Sequence, residues 1–192
     1  MSFLLRFGAL CGVLSGLFIA IPGVVEGFAG ETTATSLVLG VSPALAAPLI
    51  TALYLKQPRT RLGTVGYALN ILGLGLFGAA AYALNIVLFP LGEPVLAGPT
   101  VAVLSGSALT FAVGTVLFAT SMIRSHAHPA VPVWTYAIAL PVFTFAARLP
   151  DTPLTSLLHV VVGGSLVWLA RSVYPATRPA TTTSSTITTS AA

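Results

Sequence analysis

Only four acidic residues occur in the 192-residue chain, and their setting determines what chemistry they could do. They are Glu26, Glu31, Glu93 and Asp151, and each lies between or beside long apolar segments. A carboxyl group removed from water holds its proton more tightly and can act as a general acid. The acids are therefore the first candidates for catalysis, and the elements that carry them decide whether they meet.

The composition indicates an integral membrane protein. Hydrophobic residues make up 56% of the chain and charged residues only 6%, whereas a soluble domain carries about 25% charged residues. A membrane-spanning helix needs roughly 20 apolar residues. The sequence therefore predicts an all-α, polytopic helical bundle over residues 1–171, followed by a disordered Thr/Ser/Pro/Ala-rich tail at 172–192. The six predicted spans are 3–25, 35–55, 64–89, 98–123, 132–148 and 154–171.

The basic residues predict how the bundle lies in the cell membrane. Lys56, Arg59 and Arg61 form the most basic loop, which the positive-inside rule places in the cytoplasm. Six spans then put both termini in the cytoplasm and all four acids, together with Arg148, at the outer face. The net charge of +4 does not indicate a nucleic-acid partner, because the basic residues are scattered and form no patch. The expected partner is the lipid bilayer.

Helix ends explain three of the four acids. Glu31, Glu93 and Asp151 each come just before or at the predicted outer start of spans 2, 4 and 6. A helix N-terminus has unpaired N–H groups and a partial positive charge, and both favour a nearby carboxylate. These three acids therefore have a structural interpretation beside the catalytic one.

Glu26 lacks that explanation. It follows the predicted end of span 1, and the C-terminal end of a helix disfavours an anion. Gly27 and Gly30 are expected to keep the segment after span 1 out of a regular helix. Arg148 is the outer base that could pair with Glu26, although Asp151, three residues further on, competes for it. Glu26 is thus the strongest candidate for a functional acid.

Polar residues inside the spans form a second group of candidates. Asp151, Thr155 and His159 recur every four residues and share one face of span 6. They would form either a functional polar stripe or a hydrogen-bonded contact within the bundle. Asn70 and Asn85 lie in span 3, where hydrogen bonds to neighbouring helices are expected.

The glycines, prolines and remaining histidines favour structural interpretations. Gly73, Gly75 and Gly78 have the spacing of a dinucleotide-binding loop, but they lie in mid-span and are expected to pack helices. His126 and His128 are expected in a solvated basic loop, and no metal or cofactor is indicated. Four prolines are expected to kink or interrupt spans 1, 2 and 5: Pro22, Pro43, Pro48 and Pro141.

A resemblance to known proteins is carried by three stretches, GETTATSLVLGVSPALAAPLITALYL, GLGLFGAAAYALNIVLFPL and LPDTPLTSLLHVVVGG. They resemble small uncharacterised polytopic membrane proteins of bacteria, a likeness that brings no assigned activity. In size, helix number and acid placement, the chain is also weakly similar to the small integral-membrane terpene cyclases. That resemblance implies a compact helical bundle in which carboxylic acids protonate an isoprenoid alkene or epoxide.

Three functions are compatible with these residues. An enzyme acting on a lipid-soluble, isoprenoid-like substrate would use Glu26 as general acid, with Glu31, Glu93 or Asp151 as a second acid that assists it. A small permease or proton pathway would use the polar residues of spans 3 and 6. A non-catalytic subunit would dock another membrane protein, or a second copy of the chain, through its small-residue faces. The residues expected to line a substrate site, with aromatic rings that stabilise positive charge, are Tyr82, Asn85, Glu93, Phe143, Phe145, Arg148, His159 and Trp168.

Overall fold

A computed structural model describes residues 2–91, 98–146 and 152–174, and this part of the chain forms six α-helices. Each helix overlaps one predicted apolar segment, so the all-α bundle is confirmed. A π-helical segment (Ala83–Leu88) and a 3₁₀ turn (Phe89–Leu91) continue the third helix. The helices are α1 (Ser2–Ala29), α2 (Thr33–Lys56), α3 (Arg61–Tyr82), α4 (Pro99–Ser125), α5 (Ala130–Ala146) and α6 (Pro153–Val173).

Five of these helices are long and apolar enough to cross a membrane. The exception is α5, which is apolar but only 17 residues long. Its length of about 25 Å falls short of a hydrocarbon core of about 30 Å. Large apolar side chains are exposed on every helix, which is expected of a surface that faces lipid. Examples, one from each helix in chain order, are Phe3, Leu37, Leu72, Val103, Ile138 and Leu157.

The six helices pack in a closed ring. Each helix contacts the next one along the chain, and α6 returns to contact α1. α2 also touches α6 across the ring. This arrangement brings the last helix, with His159, against the first, with Glu26. The interior is largely apolar, and its most deeply buried side chains include Leu49, Leu53, Phe118, Val162 and Leu169.

The two ends of the bundle differ in charge. At one end, the Lys56 ammonium donates a hydrogen bond to the Ser172 carbonyl oxygen and so joins the ends of α2 and α6. At the same end, the Thr60 and Ser121 hydroxyls lie 3.4 Å apart and join α3 to α4. We call this the basic end and the opposite one the acidic end. Among the described residues, the acidic end carries Glu26 and Glu31, and the basic end carries Arg6, Lys56, Arg59, Arg61, Arg124 and Arg171.

The end of α1 differs from the sequence expectation. α1 continues through Glu26 and Gly27 to Ala29, so the prediction that Glu26 follows the helix is wrong. Apolar residues on both sides of Glu26 extend the run and carry the helix past the first glycine. Gly30 does end the helix, with a φ of 74° that suits a residue without Cβ. Its N–H donates to the Glu26 carbonyl oxygen at 2.9 Å.

The four prolines do not interrupt their helices. α1 runs unbroken through Pro22, α2 through Pro43 and Pro48, and α5 through Pro141. The expected interruptions are therefore wrong, and a kink at these residues stays a prediction. Membrane helices tolerate proline where neighbouring groups satisfy the carbonyl that loses its donor. Among the described residues, the departure from α-helical geometry lies instead in the π-helical continuation of α3.

Glycines set the distance between α3 and α4. A Cβ added at Gly66, Gly73 or Gly114 would overlap backbone atoms of the facing helix. The packing role predicted for Gly73 is therefore confirmed. Gly75 differs, because a Cβ there would meet nothing within 4 Å. Small residues on one face of each helix thus allow the backbones to approach closely.

Candidate functional site at the acidic end

Glu26 is a buried acidic residue of α1. It is only 6% exposed, although it lies in the last two turns of the helix. The preceding turn contains Gly23, where an added Cβ would collide with the His159 side chain of α6. Gly27, the next residue in the chain, lies close to the Ser156 side chain of α6. The two glycines flanking Glu26 therefore let α6 approach α1 at the level of the carboxyl group.

His159 is the second buried polar group of this region. It is 8% exposed, and its Nδ1–H donates to the Thr155 carbonyl oxygen at 2.8 Å. That bond fixes the ring orientation and leaves Nε2 of a neutral imidazole as an acceptor. The ring of Phe143 meets the imidazole edge-on, with 4.7 Å between centroids. Helices α1, α5 and α6 thus gather a carboxyl, an imidazole and an aromatic ring at the acidic end.

Glu31 occupies a different environment from Glu26. It precedes α2 and is exposed, and its Oε1 accepts a 2.5 Å hydrogen bond from the Ser36 hydroxyl. The N-cap of α2 is Thr32, whose side chain forms a reciprocal capping box with Thr35. The orphan N–H groups at this helix start are therefore served by threonine, and Glu31 stands one position outside the helix. The structure does not bring its carboxyl group into the buried region with Glu26.

Three of the aromatic residues that were expected to line a substrate site face away from the bundle. The side chains of Tyr82, Phe145 and Trp168 are each about half exposed, at 52%, 51% and 51%. Asn85 lies beside α2 in the π-helical segment, and its Nδ2 donates to the Ala81 carbonyl oxygen at 2.8 Å. The interhelical bond predicted for Asn85 is thus replaced by one within its own helix. Phe143 alone among the predicted aromatic residues joins the buried group at the acidic end.

The remaining predicted site residues lie outside the described part of the chain. They are Glu93, Arg148 and Asp151, so the expected Glu26–Arg148 pair stays a prediction from the sequence. Thr152, the first described residue before α6, caps that helix in the same reciprocal way with Thr155. The predicted tail extends beyond Tyr174, where the description ends.

A buried polar cluster lies in the middle of the bundle, and the sequence predicted one of its members. Asn70 is fully buried, and its Nδ2 donates to Thr115 at 2.7 Å and to Tyr136 at 3.0 Å. These bonds connect α3 to α4 and α5 and confirm the interhelical bonding predicted for Asn70. The sequence singled out neither partner. A polar residue in an apolar span can be recognised from the sequence, but the residue that faces it on another helix cannot.

His128 contradicts the expectation of a solvated loop. It is 7% exposed; Nε2–H donates to the Leu53 carbonyl oxygen at 3.2 Å, and Nδ1 lies 3.2 Å from the Ser172 hydroxyl. Burial lowers the pKa of His128 to about 4; the Leu53 carbonyl opposes this shift, and the charge of Lys56 adds to it. The imidazole is therefore neutral at pH 7 and ties the α4–α5 loop to α2 and α6. His126, by contrast, is exposed and ends α4 with a φ of 51°.

No known protein family matches this sequence, and neither a curated protein nor a solved structure is significantly similar to it. The likenesses to bacterial membrane proteins and to terpene cyclases therefore stay predictions from the sequence. Among the described residues, no three His, Cys, Asp or Glu side chains come together as a metal site would require.

Proposed function

We propose that the protein is a membrane-embedded enzyme that acts on a lipid-soluble substrate, such as an isoprenoid alkene or epoxide, with Glu26 as the general acid. The observation that carries the proposal is that Glu26, a residue of α1, is buried within the bundle. Ionisable residues inside membrane helices are costly and usually serve a function. Capping does not account for Glu26, because it lies near the C-terminal end of its helix.

The buried imidazole and the aromatic ring at the acidic end suit this chemistry. In the proposed step, the carboxylic acid gives its proton to the substrate and becomes a carboxylate, and the substrate becomes a carbocation. The face of an aromatic ring such as Phe143 stabilises a nearby cation. His159, whose Nδ1–H donates to the Thr155 carbonyl oxygen, keeps Nε2 available to accept a proton from the carbocation, which then becomes the neutral product. Return of a proton to Glu26 then completes a cycle without net consumption of acid.

The test compares Glu26→Gln with Glu31→Gln, the matched control at the exposed acid. Each protein is reconstituted in liposomes, incubated with a bacterial non-saponifiable lipid extract, and assayed by mass spectrometry for loss of a component and gain of an isomer. We expect the wild type and Glu31→Gln to convert the component, and Glu26→Gln to be slower by about 10²–10⁴-fold. Full activity of Glu26→Gln, or no conversion by the wild type, would contradict the proposal.

A proton pathway is the second candidate, and the Asn70–Thr115–Tyr136 cluster favours it. These groups place polar atoms deep in the bundle, beyond the reach of a site confined to the acidic end. A pathway predicts proton flux through protein-containing liposomes that carry a pH-sensitive dye. Flux that Asn70→Leu abolishes would favour the pathway, and liposomes as tight as protein-free ones would exclude it.

A further inference from the structure

A groove between α1 and α6 opens on the outside of the bundle. Its volume is about 750 Å³, and it is distinct from the buried region around Glu26. Leu17 of α1 and Val160 and Trp168 of α6 form its walls, and Arg171 and Pro129 close its basic end. The wall side chains are between 38% and 51% exposed, so the groove faces the surroundings of the bundle.

Three glycines explain why the groove exists. Gly16 and Gly163 bring α1 and α6 together, since a Cβ on either would overlap the carbonyl oxygen of the other. Gly164, one residue further on, points outward, and a Cβ there would meet nothing within 4 Å. The helices therefore touch at the floor of the groove, while the space above Gly164 stays open. In a membrane that space has to be filled by an apolar group, because lipid chains and not water surround it.

The length of the groove matches one leaflet. Val160 and Arg171 are 11 residues apart on α6, which corresponds to about 16 Å at 1.5 Å per residue. Half of a hydrocarbon core of roughly 30 Å is about 15 Å. An acyl chain lying along the groove would thus reach from the basic end of the bundle to the middle of the membrane.

The charge at the basic end of the groove favours an anion. Arg171 is exposed at that end, and the Lys56 ammonium reaches the carbonyl of the adjacent Ser172. The acids among the described residues, Glu26 and Glu31, lie at the opposite end. Two cations therefore face the headgroup region with no described carboxylate beside them, and Trp168 lies one turn deeper, where aromatic rings favour the interface.

We propose that this groove binds one anionic phospholipid of the leaflet at the basic end, with an acyl chain over Gly164 and the phosphate at Arg171. The inference is independent of the enzymatic proposal, because it involves a different face and different residues. A single basic residue near an anionic headgroup favours binding by about fivefold. Arg171 lines the groove, whereas Lys56 does not, so the preference for an anionic over a zwitterionic lipid should reside largely in Arg171.

The experiment uses native mass spectrometry of the purified full chain, titrated with phosphatidylglycerol or with phosphatidylcholine that has the same acyl chains. We expect one retained phosphatidylglycerol and weaker retention of phosphatidylcholine. Arg171→Gln should reduce this preference by about fivefold, whereas Arg124→Gln, the matched control at the end of α4, should keep it. Inorganic phosphate at the same concentration should not displace the lipid, because the acyl chain contributes to binding.

A second pair of variants tests the groove itself. Gly164→Leu should fill the space and reduce retention of both lipids, whereas Gly106→Leu, at an equally open glycine on α4, should retain them. If Gly164→Leu does not fold, Leu17→Trp fills the same groove from α1. Equal retention of the two lipids, equal losses in Arg171→Gln and Arg124→Gln, or displacement by phosphate would overturn the proposal. So would a Gly164→Leu variant that changes only the monomer–dimer ratio, since the occupant would then be a second copy.

Discussion

At the scale of single residues, two pairs of like residues end in opposite environments. Glu26 is buried and Glu31 is exposed, although five positions separate them; His128 is buried and His126 is exposed. Position on a helix face or in a loop decides the difference, and residue type does not. Each exposed member therefore serves as a control for its buried counterpart, with the same side chain and a similar place in the chain.

Acidification should destabilise the fold through His128. Its folded pKa of about 4 lies below the ordinary value of 6.5, because burial disfavours the charged ring. The unfolded chain therefore binds more protons between pH 6.5 and 4, so this contribution to stability is complete above pH 6.5 and is lost as the pH falls towards 4. Within that window, each pH unit costs up to about 1.4 kcal/mol. Thermal unfolding in detergent from pH 7.5 to 4.5 measures the slope.

The controls for this prediction are His128→Gln and His126→Gln. Replacement of His128 should lower the melting temperature at pH 7.5, because the bond to the Leu53 carbonyl is altered, and should flatten the pH dependence. Replacement of His126 should leave both the melting temperature and the slope close to those of the wild type. Parallel pH profiles for the wild type and His128→Gln would refute this role for His128.

Glu26 and His128 show which features of a site can be predicted from the sequence and which cannot. The sequence was enough to single out Glu26 as a candidate functional acid. Its carboxyl group lies beside apolar residues and away from a helix start, so helix capping does not explain it. The burial of His128 was not, because its environment consists of Leu53 and Ser172, which are distant in sequence. A periodicity identifies a face of one helix, but it does not identify the residue that faces it.

At the scale of helices, the apolar runs in the sequence predicted that each helix exists, but they predicted its first and last residues less accurately. Each of the six segments overlaps an α-helix, but α1 ends four residues after the predicted position 25, and Gly30 is the residue that stops it. The N-caps of α2 and α6 are Thr32 and Thr152, each with a capping box, and each follows directly after an acid in the sequence. Helix ends are decided by such local hydrogen bonds, to which hydrophobicity is insensitive.

The α3–α4 contact predicts opposite effects for two glycines in one helix. Gly73→Ala should destabilise the protein by about 1–3 kcal/mol, because the methyl group would meet the backbone of α4 at Phe111. Gly75→Ala should be neutral or up to about 1 kcal/mol stabilising, since its Cβ has open space and alanine favours the helix. Unfolding in mixed detergent and SDS measures both variants. Equal effects at the two positions would argue against this α3–α4 interface.

At the scale of the whole molecule, the closed ring has consequences for the number of crossings. α5 contacts both α4 and α6, and its loop residue His128 contacts α2 and α6 at the basic end. If α5 spans the bilayer, its 17 residues require a locally thinner membrane or side chains that snorkel at its ends. The sequence predicted six crossings from apolar length alone, and the packing of α5 within the ring supplies a reason to count it.

Six crossings predict which loops share a side of the membrane. With Cys11→Ser as background, single cysteines at Arg59, His126 and Gly30 are exposed to a membrane-impermeant maleimide in intact cells and in inverted vesicles. We expect Arg59→Cys and His126→Cys to react in inverted vesicles only, since both positions lie at the basic end, and Gly30→Cys to react in intact cells. The crossing of α5 itself is tested by Thr152→Cys, just before α6, which should react like Gly30→Cys. Reaction of Thr152→Cys on the same side as His126→Cys would show that α5 does not cross, and the bundle would then have five spans with its ends on opposite sides.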